Sequence, residues 1–561
     1  MQQLTGLDAS FLYLETTNTP MHIGSLCIYD QSTAPGGHVR FKDILAFYEE
    51  RLHRAKVFRQ RLAKVPMALD HPYWIEDPDF DLEFHVRHIA LPAPGDWRQL
   101  CIQTARLHAR PIDLNRPLWE VYVIEGLDAV EGVPKGSFAV VSKVHHAAID
   151  GVSGSEIAAA LHDLSPVAEV PPPERDWIAE REPTEVEMLA RTAARTASWP
   201  LRVGKVLKHA MPAAGRLIGG YAKKELSPPA KVPRTRFNGN VTSHRVFDGR
   251  TFSLDEIRAI RKSQPGVTIN DVVVTICGGA LRKYLQAKHE LPEESLVAMA
   301  PMSIRGAAEK RSEGNLVSAL SLPVRSDIED PLERLHAVHD ASINAKKTTY
   351  ALGPELAANA ADFLPSTTTG MMMRGYAKLK LAESLPPIYN TVITNVPGVN
   401  LPLFSMGSQM VANFGIGPVV HGVGLFQPVL SYNNMITISA VSCREMMPDP
   451  AFYCDCLQAS FDELKNLTIG EGAAERAAAD AAKADAEKPA ADASETKKPA
   501  KKKVAKKKAT KKKVAKKKAG KKKAAKKATD GNTPERKPAT SETMTAQTEA
   551  VTAAPNGAAR D

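Results

Sequence analysis

The seven residues His145-His146-Ala147-Ala148-Ile149-Asp150-Gly151 lie between two segments of opposite conformational preference. Upstream, residues 138–144 are apolar and rich in β-branched side chains, which predicts a strand. Downstream, Ser153 stands three residues before Glu156, the spacing of a capping box, and predicts a helix over residues 157–164. The two histidines are therefore expected on a strand-to-helix turn, where two rigid elements fix the positions of side chains.

A histidine at such a turn is suited to general-base chemistry, because its ordinary pKa of about 6.5 leaves most of the imidazole uncharged at neutral pH. An alcohol is too weak an acid to ionise unaided, and a base within hydrogen-bond reach accelerates its reaction by roughly 10² to 10⁴. Asp150, followed by the permissive Gly151, is positioned to hold the turn or to bond an imidazole. The segment therefore indicates base-assisted attack by a hydroxyl group.

Other interpretations of these residues are weaker. A lone histidine beside a strand is usually structural, but here two adjacent histidines, Asp150 and Gly151 coincide at one turn. The spacing Gly151-Val152-Ser153-Gly154-Ser155 does not match Gly-x-Ser-x-Gly, so a serine nucleophile is not favoured. The pairs His85/His88 and His336/His339 lack a third ligand at zinc spacing, and we expect no metal site.

Composition indicates a large intracellular protein. A chain of 561 residues with 43% hydrophobic content can bury a sizeable core and suggests two or three domains. Its six cysteines are sparse and lie in apolar runs, which argues against a disulfide framework. We find neither a signal-peptide pattern at the start nor about 18 uninterrupted apolar residues. We therefore expect a cytoplasmic protein, either soluble or peripheral to a membrane.

The positive charge of the chain belongs to its tail. Residues 497–527 contain 19 lysines and no acid, so that removing them changes the formal charge from +10 to −9. Such repeats cannot build a core, but they can neutralise phosphates of nucleic acid or of anionic lipid headgroups. No aromatic residue is present for base stacking, so any nucleic-acid contact is expected to be non-specific; a solubilising polycation is the alternative.

Composition shifts divide the chain into four predicted parts. Residues 1–165 form a first domain that ends in the histidine turn and its helix, and residues 166–242 form a linker. Residues 243–466 form a second αβ domain, and residues 467–561 a disordered Ala/Lys-rich tail. Within the linker, the apolar side chains of residues 199–210 share one helical face, which indicates either a basic membrane-surface helix or an ordinary crossover between domains.

The second domain alternates strong helix and strand signals. Capping residues predict helices that begin after Ser253 and after Thr268, the second of them running through Leu285. Strands are predicted over residues 296–302, 316–324, 389–395, 425–430 and 435–441, and a last helix over 450–464.

Several segments together resemble the bacterial wax ester synthase/diacylglycerol acyltransferase family, over roughly residues 1–466. The segments that carry the resemblance are Leu7-Asp8-Ala9-Ser10-Phe11, Pro20-Met21-His22-Ile23-Gly24, Arg116-Pro117-Leu118-Trp119-Glu120, His145 to Gly151, Asn270-Asp271, Ser303-Ile304-Arg305, Gly314-Asn315 and Asn395-Val396-Pro397-Gly398. The histidine heptapeptide alone is shared across the chloramphenicol-acetyltransferase-like superfamily. Its combination with the other segments, in this order, is specific to the family.

The resemblance implies an α/β (α+β) fold of two chloramphenicol-acetyltransferase-like subdomains joined by a helical crossover, with a tunnel between them. Acyl-CoA would enter from one side, and diacylglycerol or a long-chain alcohol from the other. His146 would be the general base, His145 would shape the site, and Asp150 with Gly151 would maintain the turn. No metal or redox cofactor would be needed, since acyl-CoA is the substrate.

The same resemblance assigns substrate-binding residues. Asn270 would stabilise developing charge or position the acyl group, whereas Asp271 would cap its helix. Pro117, Leu118 and Trp119 would border the acceptor; from the sequence alone, the favoured interpretation of Trp119 is a core aromatic. Peripheral association with an anionic membrane or with lipid inclusions, on the inner face of the membrane, is expected.

Two other functions remain open at this stage. One is a condensation-type acyltransferase that uses a carrier-protein thioester, which would be recognised by acylation of an amine or by indifference to acyl-CoA. The other is a non-catalytic lipid- or DNA-binding protein, for which residues 497–527 would matter and His146 would not.

Overall fold

The computed structural model describes residues 1–149, 153–173, 177–197, 230–303, 317–352 and 366–473, together with Gly219, Lys223 and Arg476. Residues 1–488 form one compact unit. The predicted linker helix over residues 199–210 and the lysine-rich residues 497–527 lie outside the described residues.

Twelve α-helices are assigned in the described part of the chain. They are α1 (Gly6–Leu14), α2 (Phe41–Glu49), α3 (Leu82–His85), α4 (Trp97–His108), α5 (Ser153–Leu161), α6 (Glu185–Ala197), α7 (Leu254–Ser263), α8 (Ile269–Ala287), α9 (Pro331–Leu352), α10 (Ser366–Lys378), α11 (Leu381–Ser384) and α12 (Pro450–Ile469). Short 3₁₀ turns cover Gln31–Thr33, Leu52–Arg54, Lys56–Phe58, Pro66–Ala68 and His146–Ala148.

The strands assigned among the same residues alternate with these helices. They are β1 (Gln2–Gln3), β2 (His22–Asp30), β3 (Gln60–Ala63), β4 (Tyr73–Glu76), β5 (Val86–Ala90), β6 (Trp119–Glu125), β7 (Phe138–His145), β8 (Arg245–Ser253), β9 (Val297–Ser303), β10 (Val317–Pro323), β11 (Thr391–Val396), β12 (Phe404–Ser405), β13 (Ser408–Ile416), β14 (Leu425–Tyr432) and β15 (Met435–Cys443).

These strands form two six-stranded sheets and one small sheet. The first large sheet has the order β12-β13-β2-β7-β6-β5, the second has the order β10-β9-β11-β14-β15-β8, and the small one is β1-β4-β3. Both large sheets are mixed, because β5 runs parallel to β6 and β11 runs parallel to β9 and β14, whereas the other pairs are antiparallel. The predicted α/β fold class with two sheet-rich halves is confirmed.

Two strands from late in the chain complete the first sheet. β13 pairs with β2 in antiparallel register, with Ile416 opposite Gly24 and Gln409 opposite Asp30. The segment that leaves the second half of the chain therefore becomes an edge of the first half. A single hydrophobic cluster accordingly contains residues of both sheets, among them Val141 and Ile438.

The local patterns place most elements correctly. The predicted strand over residues 138–144 is β7, which is buried along most of its length even though it contains Lys143 and His145. Thr268 caps α8 and Ser253 caps α7 through their side-chain oxygens, as predicted. The last helix is longer than predicted, since α12 continues to Ile469.

Candidate active site

The histidine turn begins where the central strand β7 ends. His145 is the last residue of β7 and lies opposite His22 of β2, and a 3₁₀ turn follows directly over His146–Ala148. The backbone N–H of His145 donates to the Leu118 carbonyl at 2.9 Å, and that of His146 donates to the Met21 carbonyl at 2.8 Å. Two neighbouring chain segments thus hold both peptide groups of the histidine pair.

His145 is fully buried and both of its ring nitrogens are engaged. Its Nδ1 accepts the backbone N–H of Ala147 at 3.1 Å, which requires the proton of the neutral ring to sit on Nε2. Nε2 lies 2.9 Å from Oε2 of Glu15, just after α1, and donates to it. His145 is therefore a structural brace of the turn, held by a carboxylate from the start of the chain.

His146 has a different environment. Its ring stacks face to face on Phe11 of α1, with centroids 3.8 Å apart and planes inclined by 14°. Its Nδ1 is buried and has no hydrogen-bond partner among the described residues. The ring that the family resemblance implies as the base is thus packed against an aromatic side chain.

Burial lowers the pKa of His146 to about 4; its own backbone carbonyl acts in the opposite sense, and the neighbouring His145 adds to the lowering. At neutral pH the imidazole is therefore uncharged, which is the form that can accept a proton.

Behind the turn lies a second histidine pair. His22 is fully buried, and its Nε2 contacts the carbonyl of His108 at 2.7 Å, while Nε2 of His108 contacts the carbonyl of Gly417 at 2.9 Å. Burial lowers the pKa of His22 well below its ordinary value and that of His108 to about 3. Gly417 follows β13, so this pair ties the sheet that carries the turn to the second half of the chain.

Gly24 explains the glycine of the Pro20-to-Gly24 segment. A Cβ at this position would clash with the carbonyl oxygen of Ser142 on β7. Glycine therefore allows β2 to approach β7 closely, and this approach sets His22 opposite His145.

The Pro117-Leu118-Trp119 segment packs beneath the turn. Pro117 and Leu118 are buried, and Leu118 shares a small hydrophobic cluster with Ala9 and Ala147. Trp119 stacks on His85 with centroids 4.5 Å apart, and its Nε1 donates to the Phe58 carbonyl at 3.0 Å. These contacts are those of core residues that support the turn, and a contact of this segment with an acceptor stays a prediction.

Asn270 and the Asn395-Val396-Pro397-Gly398 segment meet, although 125 residues separate the two asparagines. The amide of Asn395 lies 3.5 Å from Oδ1 of Asn270, and both residues, with Pro397 and Gly398, line a cavity of about 480 Å³. A Cβ on Gly398 would clash with the carbonyl of Ser431, so glycine lets this loop lie against β14. The cavity walls are mainly apolar and include Leu254, Ile269, Leu320, Ile393, Val399 and Ile436.

The structure thus brings the predicted residues together in two groups. His146 is not among the residues that line the Asn270 cavity, and no hydrogen bond or ring contact in the described part of the chain joins the two groups. Asp150 and Gly151 lie outside the described residues, as do Ile304, Arg305, Gly314 and Asn315.

Asp271 is a helix-capping residue. It completes a capping box with Thr268, in which Oδ2 accepts the Thr268 N–H at 2.9 Å, and the same oxygen lies 2.9 Å from Nδ1 of His339. Burial raises the pKa of Asp271, but the hydrogen bonds from His339 and Thr268 outweigh this effect and leave it below the ordinary value. Its carboxylate is therefore committed to the start of α8.

Within the described ranges, no group of three or more His, Cys, Asp or Glu side chains is arranged to hold a metal ion. None of the helices described has both the length and the apolar character needed to cross a bilayer.

Glu15 is the site residue that sequence reasoning missed. It stands 130 residues before its partner His145, outside the quoted Leu7-to-Phe11 segment, and nothing in the local pattern marks it. The available signal was its location: an isolated acid just after the apolar helix α1 and before the Pro20-to-Gly24 segment.

Comparisons with known proteins match both halves of the chain. The model of the wax ester synthase/diacylglycerol acyltransferase catalytic domain matches residues 4–273, and that of the family's C-terminal domain matches residues 313–465. A Mycobacterium tuberculosis protein provisionally named diacylglycerol O-acyltransferase is 34% identical over 450 residues, covering 80% of this chain and 87% of the relative. A Mycobacterium bovis protein with the same provisional name is 30% identical, covering 82% and 97%.

A solved structure agrees with this assignment. The wax ester synthase/diacylglycerol acyltransferase from Marinobacter aquaeolei VT8 superposes with a TM-score of 0.57 at 28% identity, covering 83% of this chain and 99% of that one. The chain therefore belongs to the wax ester synthase/diacylglycerol acyltransferase family, and it is an acyltransferase.

Proposed function

We propose that the protein transfers a fatty acyl group from acyl-CoA to the hydroxyl of diacylglycerol, giving triacylglycerol, and that His146 is the general base. Long-chain alcohols would be acylated to wax esters at the same site. The observation that carries the proposal is the position of His146 directly after β7, stacked on Phe11 where burial lowers its pKa.

The reaction follows from the chemistry of an uncharged imidazole. With Nδ1 of His146 buried, Nε2 is the nitrogen left to meet a substrate. It would take the hydroxyl proton as the acceptor oxygen bonds to the thioester carbonyl carbon. The carbon–sulfur bond then breaks, and the proton passes from His146 to the sulfur of CoA, so that the base is regenerated.

The low basicity of His146 affects the second proton transfer, in which the proton leaves the imidazole. An imidazole whose conjugate acid has a pKa near 4 does not hold the proton strongly, so it returns the proton readily to the departing thiolate. The same burial would also keep water from the thioester, where water would compete with the alcohol.

The Asn270 cavity is the proposed binding site for the fatty acyl chain. Its volume of about 480 Å³ falls in the range usual for ligand sites, and its mainly apolar lining suits a fatty chain. Asn270 at the N-terminus of α8 would contribute a polar group that positions the acyl carbonyl. His145 and Glu15 would act through the turn, without touching the substrates. Asp150 and Gly151 would maintain it.

We further propose that the protein works in the cytoplasm, peripheral to the inner face of the membrane or to lipid inclusions. Support comes from the lipid character of the proposed acceptors and from the 19 lysines of residues 497–527, which suit anionic headgroups. The same lysines would permit non-specific contact with nucleic acid. No metal or redox cofactor is required by the proposed reaction.

The test offers labelled palmitoyl-CoA to the wild-type protein with diacylglycerol, hexadecanol and a long-chain amine as competing acceptors. Neutral-lipid product is expected from the wild type, and loss of about 10² to 10⁴ in rate from His146→Ala. His88→Gln is the matched control, because His88 is an exposed histidine outside the turn. Circular dichroism checks that each variant is folded.

Two outcomes would overturn the proposal. Retained activity in folded His146→Ala would remove the histidine from the mechanism. Acylation of the amine from a carrier-protein thioester, with acyl-CoA ignored, would instead establish a condensation-type enzyme.

A further inference from the structure

An exposed apolar surface lies on α10, between α10 and α11, and on the segment after α11. Its large apolar side chains are strongly exposed: Met371 by 72%, Met372 by 60%, Leu379 by 69%, Leu385 by 48% and Ile388 by 72%. Solitary exposed apolar residues are common on proteins, but several within one short segment mark a surface that meets an apolar partner. We name the residues from Met371 to Ile388 the apolar patch.

Lysines accompany these apolar side chains. Lys378 and Lys380 flank Leu379 and are exposed, and neither pairs with a carboxylate among the described residues. The segment has one acid, Glu383, which accepts a hydrogen bond from the amide of Asn240. The patch therefore combines unpaired positive charge with exposed apolar groups, the combination that binds the surface of an anionic lipid layer.

The patch has a fixed shape near its centre. Arg234 donates from Nη1 to the carbonyl of Ala382 at 3.0 Å and from Nη2 to the carbonyl of Leu385. Ala382 itself is buried. Because the backbone is tethered in this way, little ordering is needed when the patch meets a partner.

The position of the patch connects it with the active site. α10 packs against α1, and α1 carries Phe11, which stacks on His146. The exposed methionines thus belong to the helix that packs directly against α1. A lipid layer bound at the patch would therefore lie against a helix that neighbours α1.

We propose that the apolar patch docks the protein onto an anionic phospholipid surface from which it takes its acceptor. The inference deepens the proposed function and rests on it only in that the acceptor is a lipid. A second copy of the chain suits the patch less well, since a two-fold contact would bring the same unpaired lysines towards each other.

The first experiment measures insertion directly in the full chain. All six native cysteines are buried, so an exposed cysteine introduced by Met372→Cys can be labelled selectively with an environment-sensitive fluorophore. Asp462→Cys, on the exposed face of α12, is the matched control. Vesicles are equimolar phosphatidylcholine and phosphatidylglycerol containing diacylglycerol, and binding is followed by co-sedimentation.

We expect the label at position 372 to brighten at least about twofold and shift to the blue on vesicles, whereas the label at 462 stays unchanged. The lysines of residues 497–527 recruit both proteins equally, so they cannot produce this difference. Equal responses of the two labels, or none while the protein co-sediments, would overturn the proposal. So would a response at 372 that needs no vesicles and grows with protein concentration, which would indicate self-association.

The second experiment separates docking from chemistry. The double variant Met371→Ser/Leu379→Ser is expected to raise KM for vesicle-borne diacylglycerol at least about tenfold, because two apolar side chains that would enter the lipid layer are replaced by polar ones. Turnover of hexanol, offered in solution, should be unchanged. Val186→Ser on α6 is the control, since Val186 is also strongly exposed.

The two proposals fail in different ways. If the wild-type chain acylates neither acceptor, the proposed function is wrong, and insertion of the 372 label still reports on docking. If the double variant uses each acceptor with the same KM as the wild type does, the docking surface is wrong and the acyltransferase reaction stands.

Discussion

Phe11 lies flat against the ring of His146, with the two centroids 3.8 Å apart. The residues come from opposite ends of the first half of the chain, one from α1 and one from the turn after β7. The stacking does two things at once: it fixes the plane of the imidazole, and it removes water from one face. Both effects favour an uncharged, oriented base.

Phe11→Leu is predicted to lower kcat/KM about 10- to 100-fold, because a misplaced reacting group costs rates of that order. The pKa of His146 should rise from about 4 towards its ordinary value as water reaches the ring. The pH profile of kcat/KM measures this as an acid limb at higher pH. Phe41→Leu is the control, since Phe41 stacks on the exposed His88 at 4.9 Å. An unchanged pH profile would show that Phe11 does not set the pKa of the base.

Glu15→Ala is predicted to destabilise the fold by about 1–3 kcal/mol, because the buried Nε2–H of His145 loses its acceptor. Glu15→Gln keeps an acceptor oxygen and should restore most of this stability. Urea denaturation measures the difference, with the exposed Glu83→Ala as control. Equal stability of the alanine and glutamine variants would contradict the bracing role.

Asn270→Ala should lower activity and Asp271→Ala should lower stability, although the two residues are neighbours. Asn270 faces the cavity, so its loss should lower kcat by roughly 10² with little effect on folding. Asp271 completes the capping box and binds His339, so its loss should cost about 2 kcal/mol of stability and leave kcat within a few-fold. Paired kinetics and thermal melting decide between them. A loss of stability in Asn270→Ala together with a loss of kcat in Asp271→Ala would contradict both assignments.

Stability is predicted to fall as the pH drops below about 6.5. Burial lowers the pKa of His146 to about 4 and of His108 to about 3, whereas in the unfolded chain both titrate near 6.5. Between these values the unfolded chain binds more protons, so acid favours unfolding. Each group should contribute up to about 1.4 kcal/mol of lost stability by pH 5.5.

Urea unfolding at pH 7.5 and 5.5 checks this expectation. His108→Gln should reduce the difference in unfolding free energy between the two pH values, whereas His88→Gln should not, because His88 is exposed. Over the same range, kcat/KM should stay nearly constant, since a base with a pKa near 4 remains uncharged. An activity limb near pH 6.5 in the folded enzyme would contradict the lowered pKa of the base.

The sequence by itself determined the local elements and the identity of the family. The β-branched residues before His145 predicted a strand, and the capping residues Ser253 and Thr268 marked where α7 and α8 begin. These signals are readable because strand and helix periods, and caps, depend on residues close together in the chain.

Only the tertiary structure decided which distant residues meet. A two-residue period shows which face of β13 is apolar but not that its partner is β2, some 380 residues earlier by the Gln409–Asp30 pairing. Glu15 beside His145, Phe11 on His146 and Asn270 beside Asn395 are likewise long-range contacts. The core position of Trp119 also could not be read from its neighbours in the sequence, because it follows from packing against Phe58 and His85. Contacts of this kind are set by how whole sheets and helices pack, and that information is spread over the entire chain.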